Sequence, residues 1–306
     1  MSEVFSAQNL IDGGGAFPAL QPPAKLCVFG DPIAHSRSPQ MQNTALKAAS
    51  INAQYVRVHA TAEEFPEALR ALPRAGFLGA NVTIPHKITA LNTVDRVDDH
   101  ARKIGAVNTI VVEGQKLAGY NTDGPALVRA IREEFAVDLR DLRVMIIGAG
   151  GGAGRAIAVQ CALENCERLV LVNRTYEKAK TISTELESYF RSDRLIGPGE
   201  RILAIPWEQN LLRNQIAQVD LLINATSIGM QRTDPSLLPG LITANLLIYD
   251  TVYATGKSPL VEDAEACGAR AANGLSMLLW QGALAFEIWF NRSAPVEAMR
   301  QGLLKA

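Results

Sequence analysis

The stretch RVMIIGAGGGAG holds the residues whose types and spacing best suit chemistry, an apolar run ending in Gly148, Ala149, Gly150, Gly151, Gly152 and Ala153. Its pattern is GxGxxA, at Gly148, Gly150 and Ala153. The first glycine permits a tight turn after a strand. The second lets the backbone approach a pyrophosphate, whose charge then rests on the N-terminus of the following helix, and a small third residue lets that helix pack on the strand. Glycine loops also serve simple turns, but this one lies between an apolar strand and a helix, as a dinucleotide site requires. At the end of the next strand an NAD site offers an acidic residue to the ribose hydroxyls. Here the strand ends in Asn173, Arg174 and Thr175, with Lys178 close behind. A guanidinium and an ammonium can pair with a 2′-phosphate, which a carboxylate would repel, so the expected cofactor is NADP. The alternatives are that Arg174 and Lys178 are solvated surface charges, or that Glu177 serves a ribose hydroxyl.

The elements that must position such a loop follow from alternating apolar runs. KLCVFG reads as a buried strand ending at Gly30, and Ser38 and Pro39 open a helix with Ser38 as N-cap and Pro39 at N1. AQYVRVHA is a strand, and Thr61 caps the helix that runs through Leu72. GANVTI is a strand broken by Pro85; a helix over about 87–95 leads into the strand pair NTIVVEGQKLAGYN. A second unit starts around Asp123, with a helix, the glycine-loop strand, and further strands LVLVN, DLLINA and LLIYDTVY. After Asn273 the chain is helical. This alternation predicts an α/β protein of two domains. One is an N-terminal α/β substrate-binding domain over 1–122, completed by C-terminal helices from 274–306 that return to it. The other is a Rossmann-like dinucleotide-binding domain over 123–273. Residues 1–24, with their triple glycine and paired prolines, read as a flexible or loosely docked extension.

Composition narrows the function classes. The chain has 306 residues, enough for two domains, and 48% are hydrophobic, enough for two cores. A net charge of −1 with 20% charged residues argues against the basic face of a nucleic-acid binder. No apolar run is long enough to span a membrane, and the N-terminus does not read as a secretory signal. The expected location is the cytoplasm. Cys27, Cys161, Cys166 and Cys267 form no CxxC pair and read as packed free thiols. The four histidines form no HxxxH or HExxH pattern, so no metal site is expected.

Eight short motifs then occur in order: GDPIAHSRSP, GANVTIPHK, GAVNT and YNTDG ahead of the glycine loop, and NRT, NATSIGM, YDTVYATGKSPL and NGLSMLLWQGALAFEIW after its strand. Over roughly residues 25–295 this series resembles the shikimate dehydrogenase family. The resemblance implies NADPH-dependent reduction of 3-dehydroshikimate to shikimate, a step toward chorismate and the aromatic amino acids, on a small-molecule substrate, by a monomer or homodimer. It implies that Ser36 and Ser38 hold the substrate carboxylate. Thr83, Asn108 and Asp123 would hold the ring hydroxyls, with Asn81 preceding them in the same loop. Gln281 would reach the substrate from the last segment, and Tyr253 would lie beside it. Asn224, Thr226, Gly274 and Met277 would line the nicotinamide pocket. Lys87 matches the family's catalytic lysine, and chemistry supports that choice. A ketone that receives a hydride needs a proton and stabilisation of the developing alkoxide, and an ammonium supplies both. Asp123 can orient that ammonium. Two departures stand out: Ser276 where many members have glycine, and His86 beside Lys87, read as structural or peripheral.

Three other readings are open. A quinate/shikimate dehydrogenase would have to accommodate a tertiary hydroxyl beside the carboxylate, and the Ser36–Ser38 pair favours shikimate over it. An aminoshikimate dehydrogenase is a close variant. A non-catalytic dinucleotide sensor would have no need of the proton donor that Lys87 provides.

Overall fold

The computed structural model describes residues 4–190, 200–231, 233–253 and 257–305. The chain divides into two compact units, Met1–Ala126 with Leu278–Ala306, and Leu127–Met277. Both borders fall inside helices, so each lies four residues beyond the expected 122/123 and 273/274.

The first unit contains β1 (Val4–Ser6), α1 (Ala7–Ile11), β2 (Ala24–Gly30), α2 (Ser38–Ala48), β3 (Gln54–His59), α3 (Phe65–Ala71), β4 (Gly79–Val82), α4 (Lys87–Thr93), β5 (Arg96–Val97), α5 (Asp99–Ile104), β6 (Thr109–Glu113) and β7 (Lys116–Tyr120). Its sheet has the order β1-β3-β2-β4-β6-β7-β5. The strands β1, β3, β2 and β4 are parallel, whereas β6 runs antiparallel to both β4 and β7. Strand β2 is central and buried from Leu26 to Gly30, which its unbroken apolar run anticipates for a parallel strand covered on both faces. In β3 the period-2 alternation sends Val56 and Val58 into the apolar cluster with Phe29, Phe65, Leu69 and Leu72, and Tyr55, Arg57 and His59 to the opposite face.

Three expectations differ from the structure. Residues 4–24 are not a loose extension. Strand β1 pairs with β3 in the register Val4↔Arg57, and Leu10 and Phe17 are fully buried. Phe17 packs on Phe5 and Phe77 with ring centroids 4.9 and 5.0 Å away. Ser38 does not cap α2. Arg37 holds the N-cap position, and no side chain caps that end. Nor does Thr61 hold the N-cap of α3: Glu64 does, with no side-chain cap. Thr61 instead closes the turn before the helix in a reciprocal pair, Glu64 N–H donating to Thr61 Oγ1 at 3.3 Å and Thr61 N–H to Glu64 Oε2 at 2.9 Å.

The chain passes between the units along α6 (Asp123–Phe135). The second unit continues with β8 (Arg143–Ile147), α7 (Gly152–Leu163), β9 (Arg168–Val172), α8 (Tyr176–Leu186), β10 (Ile202–Ile205), α9 (Gln209–Ile216), β11 (Leu221–Asn224), β12 (Leu247–Asp250), α10 (Pro259–Ala266) and β13 (Arg270–Asn273). Its sheet is wholly parallel, in the order β10-β9-β8-β11-β12-β13. The strand order reverses between β8 and β11, and the glycine loop leaves the C-terminal end of β8, where doubly wound sheets bind ligands. The two-domain α/β fold with a Rossmann-like sheet is therefore as expected. Strands β10 and β13 were not anticipated. Both are four-residue edge strands with weak patterns, ILAI and RAAN.

The chain returns to the first unit along α11 (Leu275–Phe290) and ends in α12 (Val296–Leu304). Trp289 Nε1 donates to Ile110 O at 2.8 Å, and Gln42 Nε2 donates to Gly282 O at 2.9 Å, fastening α11 to the sheet and to α2. No described helix is long and apolar enough to cross a membrane. Cys27, Cys161 and Cys166 are buried free thiols, but Cys267 is exposed rather than packed.

Candidate active site

The topology of the first sheet gathers functional side chains at one edge. Ser36 and Ser38 follow β2, Thr83 and Lys87 follow β4, Asn108 precedes β6, and Asp123 follows β7. Because β6 is antiparallel to its neighbours, its start lies at the same edge as the ends of β4 and β7.

Lys87 begins α4, and its Nζ lies 2.7 Å from Asp123 Oδ2. The two side chains are only 16% and 10% exposed, so solvent screens the pair less than an ordinary surface bridge. Asp123 is itself fixed. Asn121 Oδ1 accepts the N–H of Asp123 at 3.0 Å, and Asn108 Nδ2 donates to Asp123 Oδ1 at 2.8 Å. The amide of Asn108 is oriented by Thr122, whose N–H donates to Asn108 Oδ1 at 2.8 Å. A flipped amide would set two donors against each other, so the N–H end faces the carboxylate. Each Asp123 oxygen keeps a lone pair for a further donor.

Asn81 lies in β4 rather than in a loop, and it is 4% exposed. Its Nδ2 donates to Asn108 O and Thr109 Oγ1 at 3.2 and 3.1 Å, and its Oδ1 accepts from Tyr55 Oη at 2.8 Å. With those partners Asn81 braces the network. The Thr83 hydroxyl makes no hydrogen bond among the described residues, and its methyl group lies against Gly30. Ser36 Oγ accepts the Ser38 N–H at 3.3 Å. Gln281, in α11, donates to Leu278 O at 2.9 Å. His86 is buried, stacked on Phe65 at 4.3 Å, with Nε2 2.8 Å from Ala60 O. Burial lowers its pKa from the ordinary value, which suits a packing role.

In the second unit, Gly148 has φ +87°, a conformation that favours glycine. At Gly150 the backbone passes so close to its neighbours that a Cβ would lie 2.7 Å from Lys178 Cβ and 2.9 Å from the Asn173 amide, and its N–H donates to Asn173 Oδ1 at 3.2 Å. Ala153 is half-buried and is not the residue of closest approach. Gly154 is, because a Cβ there would collide with Gly148 O. The chain holds glycine one position after the one the GxGxxA pattern assigned. Ala149 is buried, and Gly151 and Gly152 are exposed at the start of α7, whose N-terminus has no side-chain cap. Arg174, Thr175 and Lys178 are exposed, and neither Arg174 nor Lys178 forms an ion pair among the described residues. A side-chain-free cradle, an uncapped helix start and two available cations fit a dinucleotide with a 2′-phosphate.

Asn224 and Thr226 build a tight loop. Asn224 Oδ1 accepts the Thr226 N–H and hydroxyl at 2.9 and 2.7 Å, and Asn224 Nδ2 donates to Asp250 Oδ1 at 2.8 Å. Asp250 is fully buried and also accepts from Ser258 Oγ and from the Val252 N–H at 3.1 Å. Burial raises its pKa above the usual carboxylate value, against the pull of those donors. Asp250 and Ser258 were missed by sequence reasoning, although both lie in YDTVYATGKSPL, of which Ala254, Thr255 and Gly256 fall outside the described residues. Gly274 packs on the backbone of Thr251, Met277 N–H donates to Tyr249 Oη at 3.1 Å, and Ser276 Oγ lies 3.0 Å from the same phenol. Tyr253 is half-buried just after β12.

Family models match three stretches of the chain: the shikimate dehydrogenase substrate binding domain at residues 28–110, shikimate / quinate 5-dehydrogenase at 129–232, and the shikimate 5′-dehydrogenase C-terminal domain at 274–304. A shikimate dehydrogenase (NADP(+)) of Methanopyrus kandleri is 37% identical over 283 residues, covering 91% of this chain and 94% of its own. The chain belongs to the shikimate dehydrogenase family. A shikimate dehydrogenase crystallised with NADP+ superposes with a TM-score of 0.82 at 33% identity, covering 92% of this chain and 95% of that one. The Thermus thermophilus shikimate 5-dehydrogenase, solved with NADP(H) and shikimate, gives 0.80 at 31% identity, covering 92% and 99%. Among the described residues no group of His, Cys, Asp and Glu could hold a metal.

Proposed function

We propose that this member of the family catalyses the reversible, NADPH-dependent reduction of 3-dehydroshikimate to shikimate, on the route to chorismate and the aromatic amino acids, as a cytoplasmic monomer or homodimer. The observation that carries the reading is the Lys87–Asp123 pair, 2.7 Å apart and withdrawn from water at the edge of the substrate-binding unit. NADPH, when bound on the Gly148–Gly152 loop with Arg174 and Lys178 toward its 2′-phosphate, supplies the hydride. Lys87 then gives its proton to the ketone oxygen as that oxygen gains negative charge, and in the reverse direction neutral Lys87 takes the hydroxyl proton. Asp123 holds the Lys87 ammonium and accepts a ring hydroxyl, and Asn108 keeps Asp123 turned toward both. Thr83, with its hydroxyl uncommitted among the described residues, is placed for a second ring hydroxyl, Ser36 and Ser38 for the carboxylate, and Gln281 and Tyr253 for the substrate's flanks. Asn81 and Asn224, already hydrogen-bonded at both ends, act in this reading by bracing the loops rather than by contact. Thr226, Gly274 and Met277 line the nicotinamide side.

The test is the absorbance of the reduced nicotinamide when protein, shikimate and NADP are mixed. Absorbance should rise, and parallel reactions with quinate or NAD should be slower. No rise with any pairing would remove the assignment. Quinate turnover exceeding shikimate turnover would transfer it to the quinate branch of the family.

A further inference from the structure

Tyr55 is fully buried in β3, yet its phenol belongs to the hydrogen-bond network that ends at Asp123. One side chain of α2 holds its backbone at both polar groups: Asn43 Nδ2 donates to Tyr55 O at 2.9 Å, and Tyr55 N–H donates to Asn43 Oδ1 at 2.8 Å. The phenol oxygen lies 2.8 Å from Asn81 Oδ1. Two backbone groups decide which way the hydrogens of this network run. Asn108 O can only accept, so the Asn81 amide nitrogen faces it, at 3.2 Å, and Asn81 Oδ1 is left for Tyr55. Thr122 N–H can only donate, so the Asn108 amide oxygen faces it, and the amide nitrogen is left for Asp123. Thr109, with no exposed surface, joins the two amides. Its Oγ1 accepts from Asn81 Nδ2 at 3.1 Å and donates to Asn108 Oδ1 at 3.0 Å. The hydrogens therefore run one way, from Tyr55 through Asn81, Thr109 and Asn108 to the Asp123 carboxylate. Desolvation raises the Tyr55 pKa well above the ordinary value, against the lowering pull of a hydrogen bond with Ser38, so the phenol keeps the hydrogen that starts the chain. In a dry interior each bond of such a chain polarises the next, and loss of the first donor leaves a buried carbonyl oxygen unpaired. Turning the Asn81 amide over does not repair that loss, because its oxygen would then meet Asn108 O.

We propose that Tyr55 is a positioning residue of the reaction: its hydroxyl heads the one-way chain that turns Asp123 toward Lys87, and turnover depends on it. Being fully buried, Tyr55 offers no surface to a substrate, so it acts through Asp123. The inference rests on the reading of Lys87 and Asp123 as the acid–base pair.

The experiment measures shikimate oxidation by NADP in Tyr55→Phe, Asp123→Asn and the double variant, well below their melting temperatures. Tyr55→Phe keeps the ring and removes only the hydroxyl. It should lower kcat at least about fivefold and leave KM for NADP unchanged. In the Asp123→Asn background the same substitution should change kcat by less than about twofold, because the carboxylate that the chain serves is already gone. A purely structural tyrosine would cost as much in both backgrounds, and that result overturns the proposal. So does a parent-like kcat in Tyr55→Phe, whatever happens to KM. If Tyr55→Phe does not fold, Thr109→Val cuts the chain at its middle and keeps the shape of the side chain. It should lower kcat about threefold or more, again only where Asp123 is intact. No loss of kcat there, or an equal loss in the Asp123→Asn background, overturns the proposal too. Asp123→Asn by itself separates the two levels. If it turns over like the parent, the reading of the Lys87–Asp123 pair fails. If it is slow while Tyr55→Phe is not, only the role of Tyr55 fails.

Discussion

Lys87 Nζ and Asp123 Oδ2 are 2.7 Å apart, although 36 residues separate them in the chain, and Asn108 holds the other Asp123 oxygen at 2.8 Å. The ammonium and its carboxylate are thus set by two unconnected strand ends plus an amide whose orientation the Thr122 N–H decides. Lys87→Ala should lower kcat by roughly 10²–10⁴, the scale for losing a general acid–base group, and change KM less. Asp123→Asn should lower kcat and also raise KM. If the pair acts as a unit, the double variant should be little worse than the poorer single one. Steady-state kinetics decide it. Near-normal turnover in Lys87→Ala with only KM raised would make Lys87 a binding residue.

Arg174 and Lys178 stand exposed beside the Gly150 cradle. Replacing Arg174 with Asp removes a phosphate partner and adds repulsion. A charge-assisted contact to phosphate is worth about 1.5–3 kcal/mol, so NADP affinity should fall at least tenfold and NAD affinity less. Titration of both cofactors by fluorescence or calorimetry measures this. Equal losses would mean that Arg174 supports the fold and does not read the phosphate.

How far this site was legible in the sequence depends on whether its signal is local. The glycine loop could be read because strand, loop and helix are contiguous, yet the demand for a small residue at Gly154 arises from the returning Gly148 carbonyl, which a pattern of spacings does not contain. Tyr55 was read only as part of a strand, since nothing in YVRVH says which alternate residue faces Asn81. Asp250 sat in a quoted motif without a role, because its partners Asn224 and Ser258 come together only when β11 and β12 pair. The Ser38 cap failed for a similar reason. A serine before a proline reads as an N-cap by type, but here the polar neighbours of Ser38 belong to the turn and to β3.

Asp250 and Asp220 should make opposite contributions to the pH dependence of stability. Burial raises the Asp250 carboxyl in the folded state, so its contribution is fully present below the unfolded value, about 3.9, and is lost as pH rises through the folded value. Asp220 is lowered, first by its side-chain hydrogen bonds with Arg143, so its contribution is present above the unfolded value and is lost as pH falls through the folded one. Asp250→Asn should destabilise at low pH, because Ser258 Oγ, which donates to Asp250 Oδ2, must turn and accept from the new amide instead. The gap to the parent should narrow as pH rises from about 4 toward 7. For Asp220→Asn the gap should instead shrink below about pH 4. Urea unfolding at several pH values gives both slopes. A gap for Asp250→Asn that widens with pH would contradict the desolvation argument.

The N-terminal segment should be part of the first unit's stability and not of the cofactor site. Phe17 has no exposed surface and lies between Phe5 and Phe77, and β1 closes the sheet beside β3. Truncating a buried phenylalanine costs about 3–5 kcal/mol, so Phe17→Ala should lower the melting temperature by several degrees. Val4→Ala, at a residue 42% exposed, should change it little. Deleting residues 1–23 should cost at least as much as Phe17→Ala, because it also removes Leu10 and the pairing of β1 and leaves an edge of β3 uncovered. The glycine loop belongs to the other unit, so at temperatures where Phe17→Ala is folded its affinity for NADP should match the parent. Thermal melts with and without NADP separate these effects. A Phe17→Ala protein that melts with the parent would mean that the segment is not docked as the ring contacts require. A folded variant with weakened NADP binding would mean that the segment reaches the cofactor site after all.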